Sequence, residues 1–170
     1  MSGDNASQTS LENGSPRLIE RLLAGFEERH QALANRLIQF VAVPLMMWSG
    51  LALLKGLPEP GLLAAIPGIN WAVVATLFIS LAYAVLSWRL GAGIGLACLV
   101  LIVIAAFYDS NETLPLWQPA IFFFGLGLVL WLFGRRIEGR PRYLSEMVLD
   151  LLMGPAWLIA RLLRFLRIDY

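Results

Sequence analysis

Side chains that could carry out chemistry are few in this sequence. The chain has one histidine, His30, and one cysteine, Cys98, which lies inside an apolar segment and is predicted to be a small packing residue. A structural zinc site needs about four ligands drawn mainly from Cys and His, and a three-histidine iron site needs more imidazoles than this chain has. The sequence also has neither a glycine-rich phosphate loop nor a Ser/His/Asp set. These absences exclude the common zinc, phosphate-transfer and serine-hydrolase sites.

The apolar residues form blocks long enough to cross a lipid bilayer. Of the 170 residues, 58% are hydrophobic and 15% are charged, whereas a soluble domain is about half apolar and about a quarter charged. Because ~20 residues cross a ~30 Å hydrocarbon layer, we predict that residues 17–170 form one all-α integral membrane bundle. The four predicted spans lie near residues 37–54, 69–88, 90–108 and 116–134. No Asp, Glu, Lys or Arg lies at the centre of a span, which argues against a pump or a proton-coupled transporter.

The segments outside the spans are of three kinds. Residues 1–16 are rich in Ser, Asn and Gly and are predicted to be a disordered tail. Residues 17–35 alternate apolar and charged positions at helical spacing, which predicts a short amphipathic helix at the membrane surface. Residues 143–168 are predicted to form an interfacial helix or a re-entrant pair of short helices, because their apolar stretch is short and contains a Gly-Pro pair.

The positions of the arginines predict the orientation of the spans. Arg29 and Arg36 precede the first span, Arg89 lies at a tight turn between the second and third, and four arginines follow the fourth. The segments on the other side carry Lys55 as their single positive charge. Because cytoplasmic loops carry an excess of Lys and Arg, both termini are predicted to be cytoplasmic. The Arg-rich composition favours a bacterial inner membrane.

Small and aromatic residues in the spans predict their packing. Glycines open the third span at Gly91, Gly93 and Gly95 and recur in the fourth at Gly125 and Gly127. Small residues let membrane helices approach closely, and we expect this contact inside the bundle, with a homo-oligomer as the alternative. Four tryptophans near the span ends are predicted to be interface anchors: Trp71, Trp88, Trp117 and Trp131.

A first family motif lies before and within the first span. Residues 26–44 read F-E-E-R-H-Q-A-L-A-N-R-L-I-Q-F-V-A-V-P. This segment resembles the opening of the membrane family that contains the yeast endoplasmic-reticulum 2-hydroxy fatty acid dioxygenase. That family shows a His, an Asn five residues later, a second His four beyond it, and a Val-Pro or Ile-Pro pair. His30, Asn35 and the pair ending at Pro44 match this spacing, and Gln39 occupies the place of the second His.

A second motif follows the fourth span. The family pattern there is Gly-His, then Phe-Glu, a basic stretch and Pro-Ala-Leu. Residues 133–144 read F-G-R-R-I-E-G-R-P-R-Y-L, in which Glu138, Arg140 and Pro141 fit the pattern and the histidine is missing. The order of the hydrophobic blocks extends the resemblance from about Leu22 over nearly the whole chain.

The resemblance implies a small multi-span enzyme that uses Fe(II) and oxygen to shorten 2-hydroxy fatty acids by one carbon, with the iron held by histidines near the membrane surface. Transferred to this chain, it implies a ligand set of His30, Gln39 and Glu138 at the cytoplasmic ends of spans one and four. Gln39 is a poor substitute for a histidine, because an amide oxygen is a weak, neutral ligand. The structural alternatives are His30 in the surface helix, Glu138 paired with a nearby arginine, and Asn35 as the N-cap of the first span.

Three functional hypotheses follow. The missing histidines favour a divergent, catalytically impaired relative that acts as a lipid-binding or structural membrane protein, with no cofactor and with the bilayer and a fatty acid or other lipid as partners. The second is an active Fe(II)-dependent oxygenase with an altered ligand set. The third is a small transporter or a subunit of a membrane complex, favoured by the glycine-rich spans. No basic patch with interleaved aromatics is present, so nucleic acid is not an expected partner.

Overall fold

The computed structural model describes residues 18–29, 32–137, 139 and 144–167. Within these ranges every regular element is an α-helix, so the predicted all-α fold is confirmed for the described part of the chain. In chain order the helices are α1 (Leu18–Arg29), α2 (Leu33–Lys55), α3 (Gly61–Ala64), α4 (Trp71–Leu86), α5 (Trp88–Asn111), α6 (Trp117–Ile137) and α7 (Leu144–Phe165).

Three of these helices, α2, α5 and α6, are long and apolar enough to cross a membrane, by length and composition. Helix α4 is also apolar but has only 16 residues. At ~1.5 Å per residue it is ~24 Å long, which is shorter than the ~30 Å hydrocarbon layer. Each predicted span coincides with one of these four helices, and the largest boundary shift is at α2, which begins at Leu33 rather than at residue 37.

Helix α2 forms the centre of the bundle and packs against α4, α5, α6 and α7. It runs antiparallel to α6, because Gly134 near the end of α6 lies against Asn35 near the start of α2. It runs parallel to α5, since Lys55 Nζ donates to Asp109 Oδ2 at 2.6 Å near their C-terminal ends. The starts of α2 and α5 and the ends of α4 and α6 therefore meet at one end of the bundle. We call it the arginine end, after the arginines at these helix termini: Arg36, Arg89, Arg135 and Arg136.

A single residue, Ser87, joins α4 to α5. Its extended backbone ends α4, where its N–H donates to the Tyr83 carbonyl at 2.9 Å. Its hydroxyl accepts from the Leu90 N–H at 3.5 Å, as an N-cap serine does. The turn therefore lies two residues earlier than predicted, because the serine starts the new helix and leaves Arg89 in the first turn of α5.

Glycines allow close helix contacts inside the bundle, as predicted. A Cβ on Gly91 would lie 2.6 Å from the Ser80 carbonyl oxygen of α4, so α4 and α5 touch through their backbones here. A Cβ on Gly127 would lie 2.6 Å from the Met46 side chain of α2. Gly125 differs, because a Cβ there would meet nothing within 4 Å. Most of the predicted glycine positions thus serve packing within one chain.

The tryptophans divide into two groups. Trp71, Trp88 and Trp117 are exposed and are the first residues of α4, α5 and α6, where a ring can lie at an interface. The prediction is wrong for Trp131, which is only 3% exposed and packs in a core cluster with Met46 of α2. Trp131 was predicted to lie at an interface because it is near the end of α6, but α2 covers that face of the helix.

Helices α1 and α7 pack against each other at the arginine end. The apolar face of α1, with Ile19, Leu23 and Phe26, is buried, and the Phe26 ring lies 5.6 Å from the Trp157 ring of α7. The predicted amphipathic helix is present but ends at Arg29, short of residue 35. Helix α7 also contacts α2 and α5 and is continuous through its internal proline. Whether α7 lies in the membrane interface stays a prediction.

Candidate functional site

Four residues of the predicted site and its motifs lie outside the part of the chain that the structure describes: His30, Glu138, Arg140 and Pro141. The ligand set of His30, Gln39 and Glu138 therefore stays a prediction. The other motif residues, Asn35, Gln39 and Pro44, all lie on α2. Asn35 and Gln39 are buried at the arginine end, whereas Pro44 lines an open apolar groove.

Asn35 and Gln39 form a buried amide pair, 0% and 1% exposed. Gln39 Nε2 donates to Asn35 Oδ1 at 3.4 Å. Gly134 of α6 leaves room for Asn35, because a Cβ at that position would overlap the Asn35 amide oxygen. The prediction that Asn35 caps the first span is wrong, because α2 begins earlier, with Ala32 as its N-cap, and Asn35 lies in the first turn.

The amide oxygen of Gln39 has no hydrogen-bond partner among the residues that the structure describes. A buried acceptor without a donor costs about 1–3 kcal/mol, so this oxygen is the polar atom of the pair that a ligand could use. However, no group of three or more His, Cys, Asp or Glu side chains in the described ranges is placed to hold a metal ion. The described donors alone thus do not fit iron, which would need His30 and Glu138 as well.

A largely buried ion pair joins α7 to α6, and its arginine, Arg135, directly follows Gly134, which lies against Asn35. Arg135 Nη1, in the last turn of α6, donates to Asp150 Oδ2 of α7. Asp150 is only 2% exposed, and the Arg135 guanidinium also lies 5.4 Å from the centre of the Trp131 ring. Removing one member of such a pair leaves a charge without its partner in a low-dielectric site. Within the described residues, Arg135 thus has a structural role.

A cavity of about 610 Å³ lies between α2, α4, α5 and α7. Three of its lining residues are methionines, Met46, Met47 and Met153, and we call it the methionine cavity. It extends along α2 from Met46 to Leu54, which is ~12 Å at the helical rise. No charged side chain lies among the described lining residues. Such a cavity suits a flexible hydrocarbon chain.

Two polar groups reach the lining of the methionine cavity. The Tyr83 hydroxyl of α4 donates to the Leu152 carbonyl of α7. Leu152 lies in the turn before Pro155, next to Leu151, whose carbonyl is the one that the proline cannot reach with an N–H. The tyrosine hydrogen bond joins α4 to α7 at this turn. The second polar group is the thiol of Cys98, which is buried in the core, in agreement with its predicted packing role.

The methionine cavity could not have been located from the sequence, although two signals point toward it. The Met46-Met47 pair follows Pro44 by two residues in a helix otherwise rich in Leu and Ala. Tyr83 is a polar ring inside a helix that is otherwise nearly all apolar. Neither signal predicts that α7 packs over α2 and α4, and this packing is what encloses the cavity.

Comparison of the chain with family models, with curated proteins and with solved structures finds no match. The resemblance to the dioxygenase family therefore stays a prediction that depends on the two motifs. Of the first motif, the structure describes Asn35, Gln39 and Pro44. The Asn35 amide packs against Gly134 of α6, and the Gln39 amide donates to Asn35.

Proposed function

We propose that this chain is an integral membrane protein that binds the acyl chain of a fatty acid or another lipid in the methionine cavity. The observation that carries the proposal is the cavity itself, whose volume of about 610 Å³ falls within the ~300–1,000 Å³ range of small-molecule sites. Its lining is apolar, and its methionines adapt to a chain of variable shape. The amide pair at the start of α2 supports binding rather than turnover, because Gln39 stands where the resembled family has a histidine.

The experiment is solvent extraction of the protein purified in a maltoside detergent, followed by mass spectrometry of the extract and by equilibrium binding of radiolabelled palmitate. About one acyl chain per protein, displaced by palmitate, supports the proposal. Protein without any acyl chain that also fails to bind palmitate would overturn it. Incubation of the same protein with Fe(II), oxygen and 2-hydroxypalmitate tests the oxygenase alternative, because loss of the 2-hydroxy acid would show turnover.

We further propose that the membrane domain has four spans, with α4 as the short one, in a bacterial inner membrane. The arginine end and both termini then face the cytoplasm. The support is the distribution of positive charge, because cytoplasmic segments carry an excess of Lys and Arg. Four arginines lie at the arginine end, whereas Lys55 at the opposite end is paired with Asp109. A bilayer adapts to a short span by local thinning at modest cost. A C-terminal alkaline phosphatase fusion should be inactive and a fluorescent protein fusion bright; the reverse pattern would contradict this topology.

A further inference from the structure

A second apolar space lies on another face of α2. It is an open groove of about 490 Å³ whose floor includes Phe40, Pro44 and Trp48 and whose sides come from α5 and α6. We call it the Pro44 groove. From Phe40 to Trp48 it follows eight residues of α2, which is ~12 Å at the helical rise, close to half of a ~30 Å hydrocarbon layer. The groove lies along the middle of α2, and its α5 lining, which includes Ile104 and Tyr108, continues toward the end where Lys55 pairs with Asp109.

The positively charged side chain of Arg161 lies at the Phe40 end of the groove. The Arg161 guanidinium of α7 lies 5.4 Å from the centre of the Phe40 ring and 5.5 Å from that of the Trp157 ring. The two rings are themselves 5.1 Å apart, so Arg161 rests on an aromatic platform whose Phe40 ring also lines the groove. This end of the groove is the one nearer the arginine end of the bundle.

Arg161 differs from two other arginines whose ion pairs are described. Arg135 pairs with Asp150, and Arg164 Nη2 lies 3.1 Å from Glu27 Oε1. Among the residues that the structure describes, no carboxylate forms an ion pair with Arg161, which is exposed. A planar guanidinium held on two rings is weakly hydrated and presents donors in the geometry that suits phosphate oxygens.

We propose that the Pro44 groove binds an anionic phospholipid, with one acyl chain along α2 between Phe40 and Trp48 and the phosphate group on Arg161. Charge complementarity selects this occupant. The apolar groove has at its Phe40 end a cation for which no carboxylate partner is described, and basic sites between spans bind anionic headgroups. The site does not depend on the methionine cavity, which is lined by other residues of α2.

The test is native mass spectrometry of the full-length protein with equal amounts of palmitoyl-oleoyl phosphatidylglycerol and the matching phosphatidylcholine. Wild type should retain phosphatidylglycerol in preference. R161Q should lower that preference about fivefold, the factor expected for one arginine near an anionic headgroup. R161K keeps the charge but loses the stacked planar guanidinium, so its preference should lie between those of wild type and R161Q. The matched control is R167Q, which removes the same charge at an exposed position beyond the end of α7 and should behave as wild type.

A groove variant checks the position of the acyl chain and keeps the test usable if R161Q fails to fold. Val41 is 58% exposed and lines the groove, so V41W should fill it and lower the occupancy of both lipids. The proposal would be overturned by a wild type without headgroup preference, or by R161Q with an unchanged one. An equal loss in R167Q would assign the preference to diffuse surface charge, and unchanged occupancy in V41W would place the lipid elsewhere.

Discussion

Replacement of Gly50 by phenylalanine should remove the acyl chain from the methionine cavity without disturbing the fold. Gly50 lies in α2 and lines the cavity, and a Cβ at this position would meet nothing within 4 Å. A side chain can therefore grow into the space that the lipid would fill. Gly125 of α6 is the matched control, because a Cβ there also meets nothing within 4 Å and the residue is exposed and does not line the cavity.

The expected size of the effect follows from the hydrocarbon that the ring displaces. If phenylalanine excludes about four methylenes at ~0.8 kcal/mol each, binding weakens by ~3 kcal/mol. This corresponds to a rise of about 150-fold in Kd. Both variants should fold, because glycine inside a helix costs up to ~1 kcal/mol relative to alanine and neither new side chain meets an obstacle at its Cβ.

The assay is equilibrium binding of radiolabelled palmitate to wild type, G50F and G125F, each first checked for a single size-exclusion peak and for its thermal unfolding midpoint. We expect a large loss of affinity in G50F alone. A G50F protein that folds and binds palmitate as tightly as wild type would refute the assignment of the chain to this cavity. An equal loss in G125F would show that the effect is not local.

Three further outcomes are expected. D150N should lower the free energy of unfolding in detergent by about 3 kcal/mol, because it leaves Arg135, only 12% exposed, without its carboxylate. E27Q, in a partly exposed pair, should lower it by less than about 1 kcal/mol. Equal effects of the two variants would contradict the assigned burial. G91A should lower the thermal midpoint markedly, because its Cβ would lie 2.6 Å from a backbone oxygen of α4, and a wild-type midpoint would contradict that close approach. Wild type and H30A purified anaerobically should contain equally little iron by mass spectrometry; stoichiometric iron lost in H30A would favour the oxygenase.

The helices could be predicted from the sequence because hydropathy is a local property of the chain. Blocks of apolar residues predicted α2, α5 and α6 to within a few residues, and the apolar face of α1 was recognisable from its spacing. Trp131 was placed wrongly, because a tryptophan near a helix end has the same local sequence signature at an interface and against a neighbouring helix. Asn35 was placed wrongly because α2 begins before its apolar block does.

The candidate site could be predicted only in part, because it depends on contacts between distant segments. Gln39 was singled out as a metal ligand, yet its described contact is the hydrogen bond to Asn35. The methionine cavity forms where α7 packs against α2 and α4. The hydrogen bond that joins α7 to α4 there links Tyr83 and Leu152, which are far apart in the sequence. Hydropathy cannot show which helix covers another, so both apolar sites became visible only in the structure.

The central claim, an acyl chain in the methionine cavity, is tested most directly by photo-cross-linking with a diazirine-bearing fatty acid in membranes, followed by peptide mass spectrometry. We expect labelled positions on α2 between Met46 and Leu54 and on α4 between Ile79 and Leu86, with this labelling lost in G50F. Labelling spread over the exposed faces of α5 and α6, and unchanged in G50F, would contradict the claim.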